Sequence, residues 1–142
     1  MALQFAAEEW ASEGEVFDLP MVSLAEDGRL LLPTTVLFAE IVKRRLAGES
    51  VFALAAAFHA SLAALVGEGC HAAREKTGIS TVALSGGVFQ NTLLLQLVEN
   101  HLREAGFRVL RHRLIPPNDG GLSLGQAVCA AARMITEVRH GR

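Results

Sequence analysis

The pattern TVALSGGVFQN, at residues 81–91, sets the architecture of this 142-residue chain. Its first four residues form a short apolar run that ends at the Gly86-Gly87 pair, which is typical of a buried strand followed by a glycine turn. A helix with apolar residues at steps of three and four should begin near Gln90, and residues 107–110 then form a second short apolar run. Strand, helix and strand in this order predict a parallel crossover.

Helical periodicity covers most of the chain outside this unit. A short helix is predicted at residues 2–12, and Pro33 and Thr34 are suited to open another that ends near Gly48. A longer helix should follow from Val51, because apolar residues recur there along one face. A final amphipathic helix is expected to cover the sheet. Its apolar positions are Leu124, Ala127, Val128, Ala131, Ile135 and Val138.

An early hairpin is the last predicted element. Residues 21–25 and 29–32 flank Asp27-Gly28, a dipeptide that favours the positive φ angles of a tight turn. Even with two hairpin strands at an edge, the strands are too few for a free-standing sheet core of the usual size. We therefore expect an α/β fold that is rich in helix, with a small and partly parallel sheet.

The whole chain, residues 1–142, is predicted to be a single α/β half-domain. An N-terminal helix and hairpin occupy residues 1–32, and a helical segment occupies residues 33–78. The strand-helix-strand-helix unit that carries the candidate site occupies residues 79–142. The sequence leaves open whether the chain is a natural short protein or a fragment.

Charge and cysteine usage exclude several classes of function. The 13 basic and 15 acidic residues give a net charge of −2 without a block of one sign, so neither nucleic acid nor a membrane surface is an expected partner. The sequence contains no run of 18 uncharged apolar residues, which is the pattern that would indicate a membrane span. Cys70 and Cys129 lie far apart on predicted helices, where they resemble small core residues more than a disulfide or a metal knuckle. We expect a soluble, cytoplasmic protein.

The glycine turn after the first strand is a candidate nucleotide site. Gly86 and Gly87 expose backbone N–H groups without Cβ obstruction beside the start of a helix, where a phosphate is favoured, although ordinary tight turns use the same pattern. Asn91 has a short amide that suits a ribose or a base edge, and its alternative role is to cap the helix.

The segment PPNDGG, at residues 116–121, is the second candidate. Two prolines stiffen it ahead of a helix, which suggests that Asp119 is rigidly aimed as a hard metal ligand; the alternative is that Asp119 only caps the helix. Both segments follow the carboxyl ends of neighbouring parallel strands, where open α/β sheets bind ligands. The two segments are therefore expected to converge.

Three other polar positions have competing interpretations. His59 lies on the apolar face of the long helix, where a hydrogen-bonded packing histidine is favoured over a ligand. His112 lies between Arg111 and Arg113, a triplet that would attract a phosphate or simply form a solvated strand edge. Ser85 shows no His-Asp arrangement in the sequence, so it is not expected to be a nucleophile.

Residues 85–91 (SGGVFQN), residues 116–121 (PPNDGG) and the upstream Phe58-His59 pair resemble the end of the HypF-type hydrogenase-maturation carbamoyltransferases. The resemblance covers about residues 34–136. These enzymes are related to the tRNA threonylcarbamoyl-adenosine synthesis proteins and the O-carbamoyltransferases. The resemblance implies part of an actin-like, ribonuclease-H-like domain.

The same resemblance implies the chemistry of the site. Gly86, Gly87 and Asn91 would contact the adenylate of ATP or carbamoyl-adenylate, and Asp119 would help to hold a divalent metal ion. The family transfers the carbamoyl group to a cysteine of a HypE-type maturation protein, on the way to the cyanide ligand of [NiFe]-hydrogenase. No residue of this chain is assigned a catalytic role.

The sequence departs from the family in one important respect. The family has two metal-binding histidines four residues apart, and the five histidines of this chain include no such pair. The acylphosphatase-like, zinc-containing and carbamoyl-adenylate-forming regions are also missing. The chain is therefore expected to be inactive without the remaining portion of a carbamoyltransferase, and whether it is itself an enzyme stays open. The alternative function is a non-catalytic interaction or homo-oligomerisation module that uses an uncovered sheet edge or apolar face.

Overall fold

The computed structural model describes residues 2–10, 14–20, 23–26 and 29–139. Helices dominate, and two small sheets of two strands each accompany them. In chain order the elements are α1 (Ala2–Glu8), β1 (Ser23–Leu24), β2 (Leu30–Leu31), α2 (Thr34–Leu46), α3 (Val51–Thr77), β3 (Thr81–Leu84), α4 (Thr92–Glu104), β4 (Arg108–Arg111) and α5 (Leu122–Arg139). The α/β, helix-rich class predicted from the sequence is confirmed.

The predicted hairpin is present but shorter than expected. Strands β1 and β2 pair antiparallel, with Ser23 opposite Leu31, and the N–H of Ala25 donates to the Arg29 carbonyl at 2.8 Å. The Asp27-Gly28 turn lies outside the described residues. Helix α1 ends at Glu8, four residues before the predicted end of the helix.

The predicted parallel crossover is confirmed. Strands β3 and β4 pair in parallel, with a register that runs from Thr81 opposite Arg108 to Leu84 opposite Arg111. A 3₁₀ turn, Gly87–Gln90, separates β3 from α4, and α4 begins at Thr92, two residues after the predicted start near Gln90. This extra turn moves the start of α4 away from the glycine pair.

Helix α3 is the central element of the core. It begins after Ser50, whose side chain accepts the Phe52 N–H, and it ends at Gly78, where φ is +71°. Two groups of buried apolar residues meet on it. One joins α3 to α4 and the parallel sheet and comprises Ala63, Leu84, Leu94, Val98, Leu102 and Phe107. The other joins α3 to α2 and the N-terminal segment and comprises Phe17, Leu37, Leu54, Ala57 and Leu65.

By length and composition alone α3 would be able to cross a membrane. Its mean hydropathy reaches 1.7 over the most apolar window, but half of that window is buried inside the fold. The core helix of a compact domain passes the same test, so α3 is only weak evidence for a membrane span.

The expectation that the last helix covers the sheet is wrong. Every described side chain of α5 from Leu122 to Thr136 is exposed. The helical residues of the buried apolar cluster on the sheet come from α3 and α4, and no described residue of α5 joins a buried apolar cluster.

Candidate functional site

The two glycine-containing segments converge, as their positions after neighbouring strands predict. The N–H of Gly86 donates to the carbonyl of Pro117 at 2.7 Å, and Gly87 faces Asn118. The segments enclose an open groove of about 520 Å³. It is lined by Ser85, Gly86, Gly87, His112, Pro116, Pro117, Asn118, Asp119, Gly121, Leu122, Gly125, Gln126 and Cys129.

Two of the groove glycines are required by the geometry of the backbone. Gly86 has a φ of +105° and a ψ of 159°, a conformation that residues with a Cβ rarely adopt. At Gly121 an added Cβ would lie 2.8 Å from the carbonyl oxygen of Pro116, which is closer than van der Waals contact allows. The sequence patterns at residues 85–91 and 116–121 thus specify two tight backbone turns that face each other.

Asp119 lies at the rim of the groove with an exposed side chain. It opens a short 3₁₀ turn, Asp119–Gly121, but the cap of that turn is Asn118, whose Oδ1 accepts the Gly120 N–H at 3.0 Å. Within the described residues the Asp119 carboxylate has no hydrogen-bond or ion-pair partner. Asn118 thus caps the 3₁₀ turn, and among the described residues no hydrogen bond from Asp119 caps the start of α5.

The described residues do not form a complete metal site. Within them, no cluster of three or more His, Cys, Asp or Glu side chains is placed to hold a metal ion. Hard divalent cations take six or more oxygen ligands, of which a carboxylate such as Asp119 supplies one or two. This part of the chain does not fit a metal by itself, and further ligands would have to come from elsewhere.

The buried His59 and the half-buried Asn91 form a hydrogen-bonded pair. Asn91 Oδ1 accepts the Leu94 N–H at 3.0 Å and so caps α4, while its Nδ2 lies 2.8 Å from Nε2 of His59. The fully buried His59 ring completes the chain of bonds through Nδ1, which lies 2.7 Å from the Ala55 carbonyl. The neutral tautomer with its proton on Nδ1 satisfies every one of these bonds.

This arrangement bears on two sequence-based interpretations. The expectation that His59 is a hydrogen-bonded packing residue is confirmed. Asn91 does not line the groove with Gly86 and Gly87, and its amide is engaged as a cap, which was the alternative role. The sequence contained both residues but no signal of their contact, because 32 positions separate them.

Ser85 has a histidine partner that the sequence did not reveal. Its Oγ lies 2.9 Å from Nε2 of His112, and both residues line the groove. The strand register explains the contact, since Leu84 and Arg111 are paired and the next residues of the two strands then meet. Within the described residues no carboxylate bonds to the other nitrogen of His112, so a Ser-His-Asp triad is not formed there.

Of the two cysteines predicted to be small core residues, Cys70 packs against the core beside α4 and the sheet, whereas Cys129 does not lie in the core. Cys70 is half-buried, and burial raises the pKa of its thiol, which disfavours the reactive thiolate. Cys129 is exposed on α5 and lines the groove. Its predicted place in the core is wrong, since the described side chains of α5 are exposed.

A larger groove of about 660 Å³ lies elsewhere, between α1, α3 and α4. Alanines from α3 form much of its floor, and its polar groups belong to Glu8, Asn100, His101 and Glu104. None of the site residues indicated by the sequence lines it. The smaller groove therefore remains the candidate site, since it joins the glycine turns to polar side chains.

Comparison with known proteins identifies the family. The family model described as "Carbamoyltransferase, Kae1-like Domain, second subdomain" matches residues 1–126. Carbamoyltransferase HypF of Rhodobacter capsulatus is 39% identical over 124 residues, which are 87% of this chain and 15% of the relative. A HypF homolog of Cupriavidus necator is 46% identical over 78 residues, 54% of this chain and 20% of its own length.

The solved structures that resemble this chain are also HypF proteins. A full-length HypF crystallised in a phosphate- and nucleotide-bound form has a TM-score of 0.80 at 33% identity, over 90% of this chain and 16% of that one. HypF of T. kodakarensis has a TM-score of 0.73 over 94% of this chain and 16% of that one, and at 24% identity it supports the fold alone. The chain thus spans less than a fifth of these structures. It belongs to the HypF carbamoyltransferase family and corresponds to the second subdomain of the Kae1-like domain in the C-terminal part of those proteins.

Proposed function

We propose that this chain supplies one side of the nucleotide groove of a HypF-type carbamoyltransferase. Gly86 and Gly87 contact ATP or carbamoyl-adenylate, and Asp119 contributes one ligand to a divalent metal ion. The observation that carries the proposal is the convergence of the two turns, held by the 2.7 Å bond from Gly86 to Pro117, with an unpartnered carboxylate at their rim. The nucleotide-bound form of the related full-length HypF supports the choice of ligand.

Asn91 is proposed to act at the edge of this site. Its Oδ1 and one Nδ2 hydrogen are used inside the protein by Leu94 and His59. An amide nitrogen carries two hydrogens, so the second remains for a ribose or a base edge. The hydrogen bond to His59 would therefore orient the Asn91 side chain in its contact with the nucleotide.

Carbamoyl transfer is proposed to require the remaining portion of the carbamoyltransferase. The chain covers 15% of the Rhodobacter capsulatus relative, and its described residues supply no complete metal site. In the assembled protein the carbamoyl group would pass to a cysteine of a HypE-type partner in the cytoplasm. The 142-residue chain alone is proposed to be inactive in this reaction.

The test is calorimetry of ATP binding, with and without a divalent metal, to the chain assembled with the rest of the enzyme. Asp119→Asn should weaken the metal-dependent part of the affinity, and thermal unfolding should stay unchanged because the side chain is exposed and unpartnered. Asp18→Asn, an exposed aspartate outside the groove, is the matched control. Equal affinity for wild type and Asp119→Asn would refute the metal role.

One observation favours a second candidate function, a module for self-association. Helix α5 exposes Leu122, Val128, Met134 and Ile135, each by 60% or more. Exposed apolar patches of this kind mark interaction sites. Light scattering of the wild type and of Val128→Lys would test self-association. A wild-type dimer that Val128→Lys converts to a monomer, in a protein that does not bind nucleotide, would favour the self-association module. A wild-type monomer that binds nucleotide would exclude it.

A further inference from the structure

The ends of the two parallel strands bring together a hydroxyl and an imidazole that the nucleotide proposal does not use. Ser85 follows β3 and His112 follows β4, and their side chains meet at 2.9 Å. Both are exposed and both line the groove, beside Gly86 and Gly87. The pair thus lies on the same wall as the turn that is proposed to receive the nucleotide.

The two arginines that flank His112 do not contribute to the groove. Arg111 forms an ion pair with Glu99 at 3.0 Å, and Glu99 is only 8% exposed and also binds Arg103. Neither Arg111 nor Arg113 lines the groove. Among the described groove residues, His112 is the one basic side chain, so it is the member of the triplet that is placed to meet an anion.

The hydrogen-bond chemistry of the pair suits a phosphate group. When Nε2 of His112 carries a proton, it donates to Ser85 Oγ, and the serine hydroxyl proton is then available for a ligand. The protonated ring carries a second N–H at Nδ1, for which the described residues supply no partner. An imidazole N–H and a hydroxyl are two neighbouring donors for phosphate oxygens.

We propose that Ser85 and His112 form the phosphate-binding pair of this groove. His112 contacts the phosphate, and Ser85 holds the imidazole ring and adds its hydroxyl as a second donor. The inference rests on the proposed nucleotide groove for the source of the phosphate, which is a nucleotide and not a free phosphate ion.

The test measures binding of AMP, adenosine and inorganic phosphate to the 142-residue chain by calorimetry, together with the NMR signals of the His112 ring. His112→Gln should weaken AMP binding about tenfold or more, because the imidazole that contacts the phosphate is lost, and leave adenosine binding unchanged. Ser85→Ala should weaken it by a smaller factor, and Ser85→Thr should restore it by returning the hydroxyl. His101→Gln changes an exposed histidine of the other groove and serves as the control.

The outcomes distinguish a failure of the Ser85-His112 proposal from a failure of the nucleotide-groove proposal. AMP binding that is equal in wild type and His112→Gln overturns the pair and leaves the nucleotide groove intact. Inorganic phosphate that shifts the His112 signals, without AMP binding, overturns the nucleotide as the source of the phosphate and with it the nucleotide groove. If none of the three ligands shifts the NMR signals of His112, both the phosphate-binding pair and the nucleotide groove are overturned.

Discussion

Nε2 of the buried His59 lies 2.8 Å from the side-chain nitrogen of Asn91, and this contact joins the centre of α3 to the first turn of α4. Asn91 directly follows the 3₁₀ turn Gly87–Gln90, so the contact is made by the residue that joins this turn to α4. A residue indicated as a nucleotide contact is thus anchored from the core side. Its effects on stability and on ligand binding must be measured separately.

Asn91→Ala should lower the free energy of unfolding by about 1–3 kcal/mol, because the substitution removes the cap of α4 and leaves His59 Nε2 without its donor. Asn91→Asp keeps an acceptor for the Leu94 N–H but loses the donor to His59, so a smaller loss is expected. Urea denaturation followed by circular dichroism measures both. Asn100→Ala, at an exposed site on the same helix, is the control, and a loss no larger than that of the control would show that the contact adds nothing to stability.

Gly86→Ala should destabilise the fold by about 1–3 kcal/mol, since its φ of +105° lies where side chains are strained. Gly121→Ala should also destabilise it, because the new Cβ would meet the Pro116 carbonyl. Gly125→Ala is the matched control: it lies in α5 with nothing within 4 Å, and a helical alanine is favoured by up to about 1 kcal/mol. Thermal unfolding of the three variants would contradict this account if Gly86→Ala and Gly125→Ala behaved alike.

Local sequence patterns were sufficient to predict the parallel crossover and the two turns of the groove. The apolar run at Thr81–Leu84, the glycine pair and the helix after it each have their signal within a few residues, and parallel strands bring the turns together whatever the rest of the chain does. Side-chain partners were not predictable in this way. Ser85 and His112 are 27 positions apart, and their meeting depends on a strand register that no local pattern specifies.

The misplaced last helix has a different cause. The periodicity of α5 correctly predicted a helix with an apolar face, but periodicity does not specify what covers that face. In the structure the residues that pack on the two parallel strands come from α3 and α4, and the described side chains of α5 are exposed. The exposure of Cys129 in the groove follows from the same fact.

Ser61→Ala should cost about 1–3 kcal/mol of unfolding free energy. The serine is fully buried, and its Oγ accepts the N–H of Phe17 at 2.9 Å, which ties the N-terminal segment to α3. The alanine would leave that N–H buried without a partner. Urea denaturation is the measurement, with Ser123→Ala at an exposed position of α5 as the control; hydrogen exchange at the Phe17 amide should also become faster in Ser61→Ala only.

Glu40→Gln should change how stability depends on pH. Side-chain hydrogen bonds from Arg44 and Lys43 hold the pKa of the Glu40 carboxyl below its ordinary value of 4.5. A carboxyl with a lowered pKa stabilises the folded state above its unfolded pKa, and this contribution disappears as the pH falls through the folded pKa. The difference in unfolding free energy between wild type and Glu40→Gln should therefore be largest at neutral pH and shrink at pH values below 4.5. Because the Glu40 side chain is partly exposed to solvent, added salt should reduce the difference at neutral pH as well. Urea titrations across this range measure it, with the exposed Glu68→Gln as control, and a difference that stayed constant with pH would show that the ion pairs of Glu40 do not contribute.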